Sequence, residues 1–366
     1  MFKQQFLCEQ SKLSTRVVID RTFDELKKFL EEDPSPILFC VDTHISRQFV
    51  EEIRCCFPHD HPCWIWEAEG GEMVKTREAK SSLEDWALQQ GVGSDCTVIA
   101  LGGGAFLDLV GFFAATYMRG VPFISIPSTI LAMADSAFGG KNGVNACGIK
   151  NIIGTIWHPK LVMNHLGLLK TLPLEQRAYG LVEAIKHAFL SSSEDTETVF
   201  SLWERCVNGD EEALEIVLAL SISIKAKIMM QAFENPEKRH LLNLGHTVAH
   251  GIEGLERISH GLAVVIGIWV ETRLAVERTI ADQEVVSAAQ RLLQLFPDHR
   301  VLSSQWSKED WCHVLARDKK NVDGVPCVVF LEGIGKPFVH DDHIRMLLTS
   351  EEIDRSYQLV QEFCRS

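Results

Sequence analysis

The chain has 366 residues, 46% of them apolar and 23% charged, which is typical of a globular protein large enough for two domains. Its formal net charge of −14 argues against general affinity for nucleic acid, because such affinity needs a basic surface. The eleven cysteines contain no CxxC pair, which gives no support for zinc-finger or thioredoxin-like chemistry. The sequence begins without a signal-peptide pattern and has no apolar stretch of roughly 18–20 residues, so we expect a cytoplasmic location and no membrane span.

The first part of the chain alternates short apolar runs with helix-like segments. Four runs rich in β-branched residues predict buried strands: RVVID, PILFCVD, TVIALGGG and PFISIPST. The helical segments between them include TFDELKKFLEE and SSLEDWALQQG, the second of which ends on the glycine that a helix C-terminus favours. Strands that alternate with helices predict an α/β fold with a parallel, doubly wound, Rossmann-like sheet.

The pattern changes after about Pro173, where long amphipathic runs replace the strands. They include RAYGLVEAIKHAFLSS, EEALEIVLALSISIKAKIMMQAF and DQEVVSAAQRLLQLF, and few β-type runs remain before PCVVFLEGIG. The sequence therefore predicts two domains, an α/β domain over residues 1–170 and a mainly α-helical domain over 171–366.

Three glycines stand between a predicted strand and a predicted helix in TVIALGGGAFLDLVGFFAATYMRG. Glycines at such a turn let the backbone approach a phosphate, and the helix N-terminus adds free N–H donors. Asp108 follows four residues after Gly104, where its carboxylate can bind a hydroxyl or an amide. The turn is not a GxGxxG fingerprint, and a tight turn that needs flexible residues explains it as well.

The segment IPSTILAMADSAFGGKNGVNACGIKN predicts a second loop, rich in small residues. It carries Asp135, Lys141, Lys150 and Asn151, and its two lysines indicate a pocket for an anionic substrate. An exposed loop with ordinary surface lysines is the alternative.

The segment LLNLGHTVAHGIEGLERISHGLAVVIGI contains three histidines. His246 and His250 are one helical turn apart and share a face, although Thr247 stands where a zinc protease has its glutamate. Ser259 can cap a second helix whose first turn carries His260. The three side chains indicate a metal site, and structural histidines in an apolar stretch are the alternative.

Seven motifs occur in the order and at close to the spacing found in the 3-dehydroquinate synthase family: LGGGAFLDLVGFFAATYMRG, DSAFGGKNGVN, KNIIG, LKTLP, GLVEAIKHA, LNLGHTVAHGIE and HGLAVVIG. The chain resembles that family from about residue 70 to about 320. The resemblance implies NAD on the N-terminal half and Zn²⁺ or Co²⁺ on the helical half. It also implies a sugar phosphate substrate, 3-deoxy-D-arabino-heptulosonate 7-phosphate, which the family converts to 3-dehydroquinate and phosphate in the shikimate pathway. NAD oxidises one hydroxyl, phosphate is eliminated, the ketone is reduced again, and an internal aldol step closes the ring.

The same resemblance assigns residues to roles. The implied metal ligands are Glu183, His246 and His260, and His250 is implied to contact the substrate and handle protons. The implied substrate residues are Asp135, Lys141, Lys150, Asn151, Lys186, Lys225, Arg239, Asn243 and Lys320. The implied NAD residues are Asp42, Glu72, Lys75, Gly103, Gly104, Asp108, Ser128, Thr129, Lys141, Lys150 and Thr171. Arg119 matches an arginine that reaches the neighbouring subunit's site, which implies a homodimer.

Several positions depart from the family pattern near these residues. His44 stands where an asparagine is common, and Ser128–Thr129 replaces a threonine pair but keeps both hydroxyls. Leu107 precedes Asp108 where the family has glycine, and Leu262 replaces the glutamate of the usual HGEA motif. If that glutamate orients the metal ligands, its loss weakens metal binding or alters metal choice.

Three other interpretations remain from the sequence. A different sugar phosphate cyclase, such as 2-deoxy-scyllo-inosose synthase or 2-epi-5-epi-valiolone synthase, would act on a substrate without a carboxylate. Arg239, Asn243 and His250 together favour the dehydroquinate pattern over this one. A metal-dependent polyol dehydrogenase would not need the lysine-rich pocket, and a decayed, non-enzymatic homologue would be expected to have lost a metal ligand.

Overall fold

The computed structural model describes residues 1–8, 13–33, 35–58, 61–297, 301–303, 305–318 and 320–364. The chain forms two compact units, of which the first comprises Met1–Gly180 and Glu204–Ala219 and the second Leu181–Trp203 and Leu220–Ser366. The first crossing between the units therefore follows Gly180, later than the predicted division at residue 170. The return of residues 204–219 to the first unit has no counterpart in the sequence prediction.

The first unit contains a seven-stranded sheet and a separate hairpin. Their strands are β1 (Phe2–Cys8), β2 (Leu13–Asp20), β3 (Ile37–Asp42), β4 (Cys63–Ala68), β5 (Thr97–Gly102), β6 (Phe123–Pro127), β7 (Lys141–Ala146), β8 (Ile149–Ile156) and β9 (Leu161–His165). The sheet order is β1-β2-β9-β6-β5-β3-β4, in which β1 is antiparallel to β2 and every other neighbouring pair is parallel. The predicted Rossmann-like parallel sheet is confirmed, and β1 adds an antiparallel edge to it.

Both faces of this sheet are covered, which is why its central strands are continuous apolar runs. The helices of the unit before residue 170 are α1 (Asp24–Glu32), α2 (Arg47–Arg54), α3 (Arg77–Gln89) and α4 (Gly104–Thr116). Val41 and Leu101 belong to the core cluster that includes residues of α1 and α2. Gly102, one residue further along β5, faces the opposite side, where an added Cβ would lie 2.8 Å from the ring of Phe106 in α4. The two faces therefore carry different helices.

The later part of the segment predicted as a second loop forms strand β7 and the start of β8 in a β-hairpin, so the loop prediction is wrong there. Strands β7 and β8 pair antiparallel, with Lys141 opposite Ile156 at one end. Cys147 and Gly148 form the turn, and both have positive φ angles, 51° and 74°. Two left-handed residues match the right-handed twist of the flanking strands. The strands contain glycine and asparagine instead of an alternating apolar pattern, which explains why the sequence did not predict them.

The second unit is mainly helical, as predicted. Helices α5 (Leu174–Phe189), α6 (Ser193–Val207) and α7 (Glu211–Glu234) contribute residues to both units. The remaining helices are α8 (His246–Leu255), α9 (His260–Glu277), α10 (Gln283–Gln294), α11 (Lys308–Ala316) and α12 (Ser350–Gln361). Four short strands accompany them, β10 (Cys327–Val329), β11 (Leu331–Gly333), β12 (Lys336–Pro337) and β13 (Arg345–Leu347). Across the described residues, every helix is too short or too polar to cross a bilayer.

Helices α8 and α9 approach closely because glycine occupies both sides of their contact. A Cβ on Gly267 would lie 1.9 Å from the carbonyl oxygen of Gly245, and one on Gly245 would lie 2.6 Å from Cγ1 of Ile268. Gly245 precedes α8 in the left-handed conformation, with φ of 77°, which favours glycine. This crossing determines where the first residue of α8, His246, is presented.

Candidate active site

The turn between β5 and α4 presents an uncapped helix N-terminus at the carboxyl end of the sheet, where α/β folds bind ligands. β5 ends at Gly102, Gly103 is the N-cap without a side-chain hydrogen bond, and α4 begins at Gly104. Gly102 is required by packing against Phe106, whereas a Cβ on Gly103 would make only an ordinary 3.5 Å contact with Cγ2 of Thr129. Close packing therefore explains Gly102, while Gly103 leaves its backbone open to a ligand such as a phosphate.

Asp42 ends the neighbouring strand β3 and is buried. Its Oδ1 atom accepts hydrogen bonds from the N–H groups of His44 and Gly70, both at 3.0 Å, and lies 2.8 Å from Nδ1 of His44. A Cβ on Gly70 would lie 1.9 Å from Oδ2 of Asp42, so only glycine fits there. The carboxylate is thus held rigidly beside the carboxyl end of β5.

Lys75 and Asp108 form a buried ion pair beside the same turn. Burial raises the pKa of Asp108, and the Lys75 ammonium opposes that rise. Leu107 is buried, and its N–H donates to the carbonyl oxygen of Gly103 at 3.0 Å, the first bond of α4. The leucine that departs from the family pattern therefore leaves the start of the helix regular.

The other predicted nucleotide residues of the first unit use their polar atoms locally. The contacts are Ser128 N–H to Gly102 O (2.9 Å), Ala132 N–H to Thr129 Oγ1 (3.2 Å), Thr171 Oγ1 to Leu168 O (3.5 Å) and Asn145 Nδ2 to Glu72 Oε1 (2.7 Å). Ser128 and Thr129 directly follow β6, whose neighbour in the sheet is β5. They therefore lie at the same edge as the glycine turn.

The hairpin separates the two lysines that the sequence grouped together. Lys141 pairs with Ile156 at the open end of the hairpin, whereas Lys150 is next to the turn. The backbones of Lys141 and Lys150 therefore lie at opposite ends of the hairpin. Asn151 has a left-handed φ of 54°, and Asp135 belongs to a short π-helical turn, Ala132–Ser136. Arg119, with φ of 72°, lies in the turn that follows α4.

Three side chains of the second unit converge on a small volume that could hold a metal ion. Glu183 of α5, His246 of α8 and His260 of α9 each offer a donor atom, and these atoms lie within 4.8 Å of one another. Oε1 of Glu183 is 3.6 Å from Nε2 of both histidines. Nδ1–H of His246 donates to the carbonyl oxygen of Leu244 at 3.0 Å, which leaves Nε2 as the ring nitrogen that could bind a metal ion. Lys186 donates to Glu183 in the same cluster.

His260 has a carboxylate partner behind it. Its Nδ1 atom lies 3.5 Å from Oε2 of Glu253, a buried residue of α8. Burial disfavours the imidazolium, but the carboxylates of Glu183 and Glu253 outweigh it and raise the pKa of His260 to about 9. Leu262 is buried in α9, and its N–H donates to Oγ of the N-cap Ser259 at 3.3 Å. A carboxylate for His260 is thus supplied from α8, although the glutamate of the HGEA motif is absent.

His250 belongs to a triangle of charged groups rather than to the three-ligand cluster. Its Nδ1 lies 3.1 Å from Oδ2 of Asp318 and 3.0 Å from Nζ of Lys320, and these two partners are 3.1 Å apart. Burial lowers the pKa of both His250 and Lys320, whereas the hydrogen bond from His250 and the charge of Lys320 hold the pKa of Asp318 well below its usual range despite burial. Both partners engage Nδ1, so Nε2 is the ring nitrogen available for other contacts.

Four further predicted substrate residues lie in the second unit. Lys186 is buried, and its Nζ also donates to the carbonyl oxygen of Leu242 at 2.8 Å. Arg239 and Asn243 belong to the 3-10 helix Pro236–Asn243, and burial lowers the pKa of Arg239. Lys225 of α7 is buried. Lys186 and Lys225 thus place two buried cations in this unit, and Lys186 is paired with Glu183.

Sequence reasoning missed Glu253 and Asp318. Glu253 lies at i+7 from His246 and i+3 from His250, so one helical stripe carries all three, a signal that could have been found. Asp318 lies two residues before Lys320, and no spacing rule connects it to a histidine 68 residues away.

Comparisons with known proteins identify the family of the chain. The chain matches the 3-dehydroquinate synthase N-terminal family model over residues 65–178 and the C-terminal model over 180–321. It is 37% identical to the 3-dehydroquinate synthase of Desulforamulus reducens over 325 residues, 87% of this chain and 90% of that protein. It is 36% identical to the 3-dehydroquinate synthase of Chlamydia caviae over 283 residues, 73% of this chain and 74% of that protein.

Among solved structures, the fold is similar to that of 2-deoxy-scyllo-inosose synthase complexed with carbaglucose-6-phosphate, NAD⁺ and Co²⁺. The TM-score is 0.85 at 22% identity, over 98% of this chain and 99% of that chain. At that identity the likeness concerns the fold alone. The family is shown by the two consecutive family models and by the relatives above 35% identity. The chain is an enzyme of the 3-dehydroquinate synthase family.

Proposed function

We propose that the chain is a 3-dehydroquinate synthase, a lyase that converts 3-deoxy-D-arabino-heptulosonate 7-phosphate to 3-dehydroquinate and phosphate with bound NAD and a divalent metal ion. The observation that carries the proposal is the convergence of Glu183, His246 and His260 in a chain of this family. The net reaction releases phosphate and leaves no net oxidation, so NAD is needed only in catalytic amount.

The three converging side chains fit a catalytic zinc or cobalt ion. Two imidazoles and one carboxylate are a known donor set for catalytic zinc, which leaves one position for a substrate oxygen or water. Both histidines direct Nε2 to the cluster because their Nδ1 atoms face Leu244 and Glu253. When bound, such an ion supplies Lewis-acid polarisation of a substrate oxygen. The Co²⁺ in the complex of 2-deoxy-scyllo-inosose synthase supports this assignment.

The edge formed by β3, β5 and β6 fits NAD. The uncapped N-terminus of α4 and the open backbone at Gly103 suit its pyrophosphate, and Asp42 stands on the neighbouring strand to accept from a ribose hydroxyl. Lys75 and Asp108 frame the same turn. NAD supplies hydride chemistry when bound there, and the NAD⁺ in the complex of 2-deoxy-scyllo-inosose synthase supports this part of the proposal.

His250 would move protons at Nε2. When Nδ1–H donates to Asp318, Nε2 has a free lone pair and can accept a proton. The imidazolium formed in this way keeps its Nδ1–H on Asp318, and Nε2–H can return the same proton. Asp318 therefore supports both protonation states of the ring, which suits a reaction that removes a proton and later restores one.

The substrate carries a carboxylate and a phosphate, and the predicted cationic substrate residues would bind these two groups. Lys186 and Lys225 of the second unit are the buried members of this set. In a protein of net charge −14, such local positive groups would concentrate an anionic substrate against the overall field.

We also propose a homodimer in the cytoplasm. Arg119 is exposed in the turn that follows α4, which suits a contact with a second copy. The described thiols Cys55, Cys63 and Cys147 are free and exposed, as expected in a reducing compartment. Light scattering of the purified protein tests the dimer, since a monomer at all concentrations would exclude it.

The experiment that tests the function supplies zinc and catalytic NAD with heptulosonate 7-phosphate, or with a hexose 6-phosphate that lacks the carboxylate. We expect equal amounts of phosphate and dehydroquinate from the first substrate and no turnover of the second. Turnover of the hexose phosphate would favour an inosose synthase, and stoichiometric NADH would indicate a dehydrogenase. No turnover by a folded, metal-loaded protein would refute the proposal.

A pair of variants on α5 tests the ligand assignment. Glu183→Gln is expected to lose metal and turnover together, because it replaces the one carboxylate in the cluster. Glu175→Gln changes an exposed residue of the same helix and should retain both.

A further inference from the structure

Glu271 is a buried carboxylate that none of the proposed steps uses. It lies in α9, is 1% exposed, and its Oε2 atom accepts a hydrogen bond from the N–H of Gly245 at 2.8 Å. Burial raises its pKa to about 8, although the N–H groups of Gly245, Val248 and Thr247 and the charge of Lys320 act to lower it. A fully buried acid costs free energy, so its position needs an explanation.

The explanation is the N-terminus of α8. The N-cap residue Gly245 has no side chain with which to bind the free N–H groups of the first turn. Glu271, which reaches this turn from the neighbouring helix, provides the missing acceptor. The contact depends on the close crossing of the two helices, because Gly267, one turn before Glu271, lies against the carbonyl oxygen of Gly245.

The residue that follows Gly245 is His246, and its neighbours are held on both sides. Glu271 holds Gly245, and Oγ1 of Thr247 donates to the carbonyl oxygen of Cys327 at 2.6 Å. Between these two anchors, Nδ1–H of His246 donates to Leu244 and Nε2 faces Glu183. The direction of the imidazole therefore depends on how firmly the first turn of α8 is fixed.

We propose that Glu271 is a positioning residue for His246, whose side chain caps α8 from α9 and so directs Nε2 into the metal cluster. This inference rests on the metal site of the proposed function. A purely structural cap would stabilise the fold without changing the metal site, so the test must separate metal geometry from stability.

Two substitutions separate the reach of the side chain from its titratable carboxyl group. Glu271→Gln keeps the length and an oxygen that accepts from Gly245. Glu271→Asp keeps the carboxyl group but is one methylene shorter and loses the contact. Leu274→Ala, which truncates a buried residue one turn further along α9, is the control for general destabilisation. The measurements are the zinc dissociation constant and the visible absorption spectrum of the Co²⁺-substituted protein.

We expect Glu271→Asp to bind zinc about 10–100-fold more weakly, the range for loss of a residue that orients a metal ligand, with an altered cobalt spectrum. Glu271→Gln and Leu274→Ala should retain the parental spectrum and bind zinc within about threefold of the parent. An unchanged Asp variant, a Gln variant as weak as Asp, or an equal loss in Leu274→Ala would overturn the inference. If the parent protein binds no zinc, the proposed function fails as well. If the parent binds zinc but the variants do not behave as expected, only the inference about Glu271 fails.

Discussion

Substitution of Glu253 by glutamine should change metal affinity in a way that depends on pH. The carboxylate lies 3.5 Å from Nδ1 of His260, so it orients the imidazole and increases its basicity. Loss of such a partner weakens metal binding by about 10–100-fold, or about 1.4–2.7 kcal/mol. The metal affinity falls by this full factor only at a pH where no proton competes with the metal ion for His260.

In the metal-free protein a proton does compete. His260 faces the carboxylates of Glu183 and Glu253 and the ring of His246. Burial lowers the pKa of His260, but the two carboxylates outweigh it and raise the pKa to about 9. Metal must displace this proton, so the apparent affinity of the parent should fall about tenfold per pH unit below 9, or about 100-fold at pH 7.

Glu253→Gln removes one of the two carboxylates and so lowers the pKa of His260. Proton competition then begins at a lower pH, which partly offsets the lost orientation near neutrality. The variant should therefore bind zinc about 10–100-fold more weakly than the parent at about pH 9.5 and show a much smaller deficit at about pH 7.

The assay is a zinc competition titration against a chelator of known affinity, on metal-free protein, at half-unit steps of pH. Glu256→Gln is the control. Glu256 is the C-cap residue of α8 and accepts hydrogen bonds from Trp306 and Ser303, not from His260. Its curve should follow that of the parent. Parallel curves for the parent and Glu253→Gln, separated by the same factor at every pH, would show that the carboxylate does not control the protonation of His260.

Three further predictions concern the rest of the site. Gly102→Ala should lower the thermal midpoint, because the new Cβ would lie 2.8 Å from the ring of Phe106, whereas Gly103→Ala should keep the midpoint and weaken NAD binding in a fluorescence titration. Asp318→Asn removes the carboxylate whose hydrogen bond raises the pKa of His250. The acid limb of the pH profile of kcat/KM should therefore move to lower pH. If that limb does not move, His250 is not the base. The free energy of unfolding, measured by chemical denaturation, should be about 2.7 kcal/mol lower without zinc than with free zinc at 100 times its dissociation constant. Equal free energies of unfolding would mean that no zinc ion binds the folded state preferentially.

The central strands were predictable because they are buried on both faces. β3, β5 and β6 are buried along their whole length, and β2 is buried from Val17 to Asp20, so short runs of β-branched residues identified them. Edge strands were missed for the opposite reason. β1 has the sequence FKQQFLC, in which polar residues interrupt the apolar ones. β4 has the sequence CWIWEA, and none of its residues is fully buried. The sequence pattern thus reports burial more directly than it reports strands.

The metal cluster was predictable from matching motifs, but the residues that support it were not. Glu183, His246 and His260 each lie in a recognisable segment. Glu271 contacts a residue 26 positions away, and Asp318 contacts one 68 positions away, through folds of the chain that no local spacing encodes. The departure at Leu262 also needed the structure, because only the position of Glu253 shows that His260 retains a carboxylate partner.

The most direct test of the central claim is a zinc titration of the metal-free protein during turnover, with catalytic NAD and heptulosonate 7-phosphate. Phosphate and dehydroquinate should appear together, rise with added zinc and saturate at one ion per chain, without net NADH. Turnover that is independent of metal, or saturating metal with no dehydroquinate, would contradict the account.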